Sequence, residues 1–369
     1  MTAASALHTV HLVLPATVDD PAAPSGGNRY DLRIARELPG AGWHVTGHRA
    51  TGAWPRPAPA DRAGLARLLA ALPDGATVLL DGLVACAAPG VLAAQAHRLR
   101  LAVLVHLPLA DETGLDPAVA AQLDTAERGA LHTAHAAIAT SAWTARRLVT
   151  HHGLPPDRVH IAAPGTDPAP LAPGTDGGHR LLCAATVTPR KGQRRLAEAL
   201  AALAGLPWEC VCAGALDRDA QYTAGLRALI ARHGLGDRFH LTGALTPEAL
   251  AARYAAADLL VLPSYAEPYG MVLTEALARG IPVVATAVDG IPEAVGRAPD
   301  GTVPGVLVPE GSPHALRDAL EAWLRDPGVR RPLRAAAHAR RAMLTGWETT
   351  SRALAGVLET LSRQPRRTM

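Results

Sequence analysis

Lysine is almost missing from this chain. Of 36 basic residues, only Lys191 is lysine and the rest are arginine. With so much Ala, Gly and Pro, that skew reads as the codon bias of a GC-rich genome. Under such a bias arginine is the easy choice, so a surviving lysine marks a place where a compact ammonium matters. Cysteine is scarce as well: Cys86, Cys183, Cys210 and Cys212 all lie in strand-like apolar segments. No secretory leader implies an oxidising compartment, so the thiols are expected to be buried and free. Cys210 and Cys212 form C-x-C with no second pair, and no metal is expected there. The opening MTAASALHTVHLVLPATVDD has no basic n-region, and its apolar run is too short to span a bilayer. It reads as the first strand of a cytoplasmic protein whose membrane contact is peripheral at most. A spread net charge of +3 gives no case for a nucleic-acid partner.

What is present fits two globular domains. The chain has 369 residues, 49% apolar and 19% charged, with a mean hydropathy of +0.10. Apolar runs at 8–14, 76–80, 101–106, 136–141, 181–186, 208–214, 239–243, 258–263, 281–286 and 305–309 alternate with helical patterns. Unbroken apolar strands between helices predict parallel sheets covered on both faces. Thr246-Pro247 and Ser312-Pro313 each offer a capping hydroxyl followed by proline at a helix start. The Pro- and Gly-rich stretch 164–179 is the expected linker. The fold class is α/β, with two Rossmann-like doubly wound domains, residues 1–170 and 171–346. A last helix at 347–362 is expected to cross back to the first domain, ahead of a basic tail at 363–369. Such sheets bind ligands outside the carboxyl ends of their strands.

The segment EPYGMVLTEALARG at 267–280 follows an apolar strand and carries Glu267 and Glu275 eight residues apart. Pro268 keeps Glu267 out of a helix and Gly270 frees the backbone, so a helix is expected from about Met271 to Arg279. Glu267 then sits in the loop and Glu275 one turn inside the helix, apart and not paired. Backbone N–H groups of Tyr269, Gly270, Met271 and Val272 would face an anion at the helix start. Alone, two glutamates at this spacing are most often a solvated loop residue and a surface helix residue. Lys191, with Arg190 beside it, follows the strand at 181–186, where a cation suits a phosphate. Gly26-Gly27, after the first strand, reads as a turn that lets backbone approach a phosphate.

In that context the chain resembles retaining glycosyltransferase family 4, of the GT-B architecture, in which two Rossmann-like domains face a cleft. EPYGMVLTEALARGIPVVAT is similar to its E-x7-E signature. The segments SGGNRYDLRIAREL, LVHLPLADE, ATSAWTARRLV, PGTD at 164–167, ATVTPRKG and GWETTSRALAGVLE follow in the family's order. The resemblance implies that Glu275 binds ribose hydroxyls and that Glu267, with the amides of Tyr269 to Val272, holds donor sugar and diphosphate. Lys191 and Arg190 would neutralise the leaving diphosphate, and His106 would contact the donor sugar near the reacting centre. Gly26 and Gly27 would lie against the donor. One departure is Ala185-Thr186-Val187, where many members carry G-R-L with a phosphate-binding arginine.

The implied reaction moves a hexosyl or N-acetylhexosaminyl group from a nucleoside diphosphate sugar, UDP before GDP-mannose. The acceptor would be a hydroxyl of a small molecule, glycan or lipid. The family retains configuration by front-face attack and needs no metal or other cofactor. Asp111 and Glu112 are candidate acceptor contacts. Asp217-Arg218-Asp219 imitates a D-x-D metal motif but sits where acidic residues cap a helix. His151-His152 reads as a frayed helix end without partners, and RYDLRIAREL as a solvated face whose charge Asp31 and Glu37 dilute. Three alternatives stay open: a PLP-dependent glycan phosphorylase, whose Schiff base only Lys191 could supply and from the wrong motif, a nucleotide-sugar 2-epimerase, which needs no acceptor, and a nucleotide-sugar-binding protein without catalysis.

Overall fold

Strands with no polar side chain on either face are stable only between two layers of helices. The computed structural model, which describes residues 8–20, 25–175, 177–312 and 314–364, makes each of the ten apolar runs a strand of one of two sheets. In the first sheet lie β1 (His8–Pro15), β2 (Trp43–Ala50), β3 (Thr77–Asp81), β4 (Arg100–Val105), β5 (Ala136–Ala139) and β6 (Val159–Ile161). The second holds β7 (Arg180–Ala184), β8 (Glu209–Ala213), β9 (Phe239–Gly243), β10 (Leu259–Leu262), β11 (Val283–Thr286) and β12 (Gly305–Val308). Their orders are β2-β1-β3-β4-β5-β6 and β12-β11-β10-β7-β8-β9, and neighbouring strands in both sheets run parallel.

The second sheet shows the doubly wound logic residue by residue. Leu181, Cys183, Cys210, Cys212, Leu259 and Val261 face one core. Their neighbours Leu182, Ala184, Val211, Ala213, Leu260 and Leu262 face another. Successive side chains point to opposite faces of a strand, so only an unbroken apolar run can fill both cores. Each fully buried leucine contributes about 2 kcal/mol. All four cysteines are buried and free.

The chain forms two compact units. One contains Gly26–Gly165, the strand before it and the last helix, and the other contains Thr166–Gly346. The last helix, Trp347–Arg363, packs within the first unit. There the Tyr30 ring meets Trp347 edge-on at 5.6 Å, and Thr350 Oγ1 donates to the Ala163 carbonyl at 2.8 Å. Thr166 starts the second unit with a backbone bond to Thr345 of 2.9 Å. In the linker stretch, Thr175 N–H and its hydroxyl donate to the buried Asp258 carboxylate at 2.5 and 2.6 Å.

Two strands differ from the sequence expectation. β2, WHVTGHRA, lies at a sheet edge with exposed polar positions throughout, and β6 is a three-residue edge strand. Neither has the unbroken apolar run of an interior strand. Thr246 caps a helix as expected, accepting from Ala249 N–H at 3.3 Å, and Ser141 caps another, accepting from Thr144 N–H at 3.0 Å. Pro313, residues 1–7, Asp176 and the tail at 365–369 lie outside the described residues. No helix among the described residues is long and apolar enough to cross a membrane.

Candidate functional site

In the second sheet the chain leaves β7 for β8 and β9, then returns to β10 on the other side. The order reverses between β7 and β10, the position outside the carboxyl ends of the strands at which such sheets bind ligands. The loop after β7 carries Lys191 and the loop after β10 carries Glu267. Lys191 Nζ forms a direct ion pair with Glu267 Oε2. Glu267 is 7% exposed, and Ser264 Oγ donates to the same oxygen at 3.4 Å. The two loops are also joined by backbone. Tyr265 N–H donates to the Arg190 carbonyl at 2.8 Å, and an Arg190 guanidinium nitrogen donates to the Ala266 carbonyl at 3.2 Å. Gly192 has φ of +69°, and a Cβ there would stand 2.1 Å from the Pro263 carbonyl oxygen. No other residue type fits that close approach.

Helix Met271–Leu277 begins after Gly270, whose φ is 89°, and has no side-chain cap. It ends two residues before the expected Arg279, with Gly280 left-handed beyond it. Glu275 is 8% exposed within it and accepts from the Tyr254 hydroxyl at 2.9 Å. Tyr254 in turn lies under the Arg279 guanidinium, 4.6 Å from the ring centre. Glu267 and Glu275 thus have separate partners. Burial, and then the charge of Glu293, pushes the Tyr269 phenol up to about 12, so it stays a neutral donor.

Asp289 and Gly290 hold the EPYG turn from behind, a support that motif reading missed. Glu267 N–H donates to Asp289 Oδ2 at 2.7 Å, and Gly290 N–H to the Glu267 carbonyl at 3.1 Å. Asp289 is the non-glycine residue with positive φ, 49°, among those described, a region that Asp tolerates better than most residues. A Cβ on Gly290 would lie 1.9 Å from the Pro268 carbonyl oxygen. Gly290→Ala must therefore push the turn outward, at a cost of about 2 kcal/mol. We expect a melting temperature lower by about 4–8 °C in calorimetry. An unchanged melt would show that the turn is not held there.

In the first sheet the order reverses between β1 and β3, and a second cluster sits at these strand ends. His106 directly follows β4. Its Nε2 lies 2.8 Å from Asp31 Oδ1 and 3.6 Å from Asp81 Oδ2. Asp31 is 1% and Asp81 2% exposed, and Leu83 N–H donates to Asp81 Oδ1 at 2.7 Å. Gly26 and Gly27 are not in a turn. They open helix Gly26–Glu37, and a Cβ on Gly27 would meet the His106 ring at 3.1 Å. Glycine there makes room for the imidazole. Asp31 does not lie on a solvated face. It is one turn from the fully buried Ile34 and two from Leu38, a spacing that could have revealed it as inward-facing.

Other candidates find structural partners. Arg147 grips Asp111 through Nε at 3.1 Å and Nη2 at 2.8 Å, and Glu112 accepts from Thr113 N–H at 3.1 Å. Asp219 caps helix Ala220–Arg232 by accepting from Tyr222 N–H at 2.8 Å. At the Ala185-Thr186-Val187 departure, Gln193 donates to the Thr186 carbonyl at 2.9 Å. The expectation that His151 and His152 lack partners is corrected. His151 pairs with Asp124, and the buried His152 pairs with Glu127 at 3.1 Å. Tertiary packing of helix Pro117–Thr133 supplies both carboxylates. Ligand atoms of Asp124, His151 and His152 lie within 4.8 Å of one another, as do those of Asp31, Asp81 and His106.

Two family profiles divide the chain between them. Glycosyltransferase Family 4 matches residues 4–170, and Glycosyl transferases group 1 matches residues 174–340. Among curated proteins, the D-inositol 3-phosphate glycosyltransferase of Pseudarthrobacter chlorophenolicus is 35% identical over 58% of this chain and 53% of its own length. The protein of the same name from Corynebacterium glutamicum is 32% identical over 50% of this chain and 47% of its own. The chain thus spans about half the length of these relatives. Among solved structures, sucrose-phosphate synthase from Thermosynechococcus elongatus aligns over 96% of this chain and 99% of its own, with a TM-score of 0.75 at 23% identity. Anabaena Alr3699/HepE, in complex with UDP and glucose, aligns over 96% and 100%, with a TM-score of 0.73 at 19% identity. The first unit matches one half of this enzyme family and the second unit the other, and the chain belongs to the family 4 glycosyltransferases of the GT-B fold.

Proposed function

We propose that the chain transfers a hexosyl or N-acetylhexosaminyl group from a nucleoside diphosphate sugar to an acceptor hydroxyl, retaining anomeric configuration and using no metal or other cofactor. The observation that carries this reading is the Lys191–Glu267 ion pair at the switch point of the second sheet. It binds the one lysine of the chain to the loop that leads into helix Met271–Leu277, a helix with no side-chain cap. In the step, the acceptor oxygen bonds to the anomeric carbon as that carbon's bond to the diphosphate oxygen breaks. The acceptor proton passes to the departing phosphate. Charge grows on the leaving group, and we assign its stabilisation to Lys191, Arg190 and the amides of Tyr269, Gly270, Met271 and Val272. Glu267 accepts from sugar hydroxyls and orients Lys191, while Glu275 accepts from the ribose. His106, next to Gly26-Gly27, donates to a substrate hydroxyl.

The favoured donor is a UDP-sugar, in line with the UDP complex of a structural neighbour, with GDP-mannose second. The relatives' name supports a small phosphorylated polyol as acceptor, ahead of a glycan or lipid. We place the reaction in the cytoplasm.

A thermal-shift screen of UDP, GDP and ADP, followed by product release from each matching sugar nucleotide, tests the reading. A nucleoside diphosphate at 100 times its Kd should stabilise the fold by about 2.7 kcal/mol. Release of that diphosphate with an acceptor, unchanged by EDTA, is the expected result. No stabilisation by any nucleotide would overturn the reading. Epimer formed from donor alone would mark an epimerase, and binding without release a non-catalytic protein.

A further inference from the structure

The Asp31–Asp81–His106 cluster has an unusual charge balance for a protein interior. Two carboxylates, 1% and 2% exposed, sit around one imidazole. A buried carboxylate without a counter-charge is costly, and two beside each other cannot both ionise cheaply. Among the described residues Asp31 Oδ2 is buried with no hydrogen-bond partner. The Nε2 proton of His106 is therefore what balances Asp31. The imidazole lies over Gly27, where an added Cβ would stand 3.1 Å from the ring, and meets the Tyr30 ring edge-on at 5.2 Å.

We propose that Asp31 and Asp81 are positioning residues that keep His106 doubly protonated, with Nε2–H fixed on Asp31 and Nδ1–H offered to a substrate oxygen. His106 is then a charged hydrogen-bond donor and not a general base. The substrate's identity rests on the glycosyltransferase reading, but the charge state of the cluster does not.

The electrostatics run the same way. Burial pulls the His106 pKa down, but the Asp31 charge and hydrogen bond, with help from Asp81, more than offset that and raise it. Burial, and then the Asp31 charge, pushes Asp81 up to about 8 against the pull of the His106 charge. Tyr30, the other titratable group facing the imidazole from helix Gly26–Glu37, is held well above its ordinary value by burial and by Asp31. Its hydroxyl is engaged in donating to the Ala162 carbonyl at 2.8 Å. The raised His106 pKa contributes stability that is complete below the unfolded value of about 6.5 and is lost as pH rises through the folded one. The raised Asp81 pKa acts in the same sense. Its contribution is complete below about 3.9 in the unfolded chain and fades as pH climbs toward about 8.

The test is an NMR titration of the His106 imidazole in the full chain, assigned by its absence in His106→Gln. The wild type should titrate above about 6.5. Asp31→Asn should lower that midpoint by at least about one pH unit and move the alkaline limb of kcat/KM for sugar transfer by a similar amount. Asp81→Asn should lower it less. If Asp31→Asn does not fold, Asp31→Glu should restore the wild-type midpoint while Asp81→Asn still lowers it. Equal midpoints in wild type and Asp31→Asn, or a wild-type midpoint below about 6.5, overturn the proposal. A shifted midpoint in a protein that consumes no sugar nucleotide upholds the cluster and defeats the transferase reading instead.

Discussion

Lys191→Ala is expected to lower kcat by about 10²–10³ with little change in donor KM, because an ammonium aimed at a leaving diphosphate acts mainly as charge develops. Asp219→Ala is the matched control. Asp219 caps a helix through Tyr222 N–H, so its loss should cost about 1 kcal/mol of stability and leave kcat near wild type. Lys191→Ala also strands Glu267, a carboxylate that is 7% exposed, and removing one partner of a buried pair is itself destabilising. A melting experiment separates the two effects. Adding Glu267→Gln to Lys191→Ala should recover part of the lost stability and none of the lost kcat. Equal kcat losses for Lys191→Ala and Asp219→Ala in steady-state kinetics would remove the basis of the proposed mechanism.

The parts that were legible in the sequence are those in which local pattern and tertiary role coincide. Leu259–Leu262 must be an interior strand because all four side chains are apolar and both faces are covered. EPYG must be a turn because Pro268 and Gly270 permit little else. That logic also separated Glu267 from Glu275. It failed where partners come from remote segments. β2 gave no apolar run because an edge strand buries only part of its surface. Asp31 was read as surface charge because a carboxylate on a helix usually is, and nothing local announces that His106 closes over it from 75 residues away. His152 likewise meets Glu127 across 25 residues. Gly27 was singled out for backbone conformation, whereas it opens a helix and leaves room for the His106 ring. Composition pointed to Lys191 before any geometry did, since only one position kept an ammonium.

Glu275→Gln should weaken the donor without slowing the chemistry. A carboxylate accepting from ribose hydroxyls forms charge-assisted bonds worth about 1.5–3 kcal/mol, so Kd for the nucleoside diphosphate and KM for its sugar should rise roughly 10–150-fold. The same interaction exists in ground and transition states, and kcat should therefore stay close to wild type. Glutamine keeps the volume and can still accept from the Tyr254 hydroxyl at the position now 2.9 Å away, so the fold should melt unchanged. Tyr254→Phe offers a graded comparison. It leaves the carboxylate charged but removes the donor that aims it, and Arg279, stacked 4.6 Å over that ring, keeps its platform. The expected loss in affinity is about tenfold, near the net worth of one hydrogen bond. Calorimetry with the nucleoside diphosphate and with inorganic pyrophosphate decides the matter. Glu275→Gln should weaken the former and spare the latter, because the role proposed for the residue is to accept from ribose. Equal weakening of both would move Glu275 from the ribose to the phosphates, and no weakening of either would take it out of the donor site.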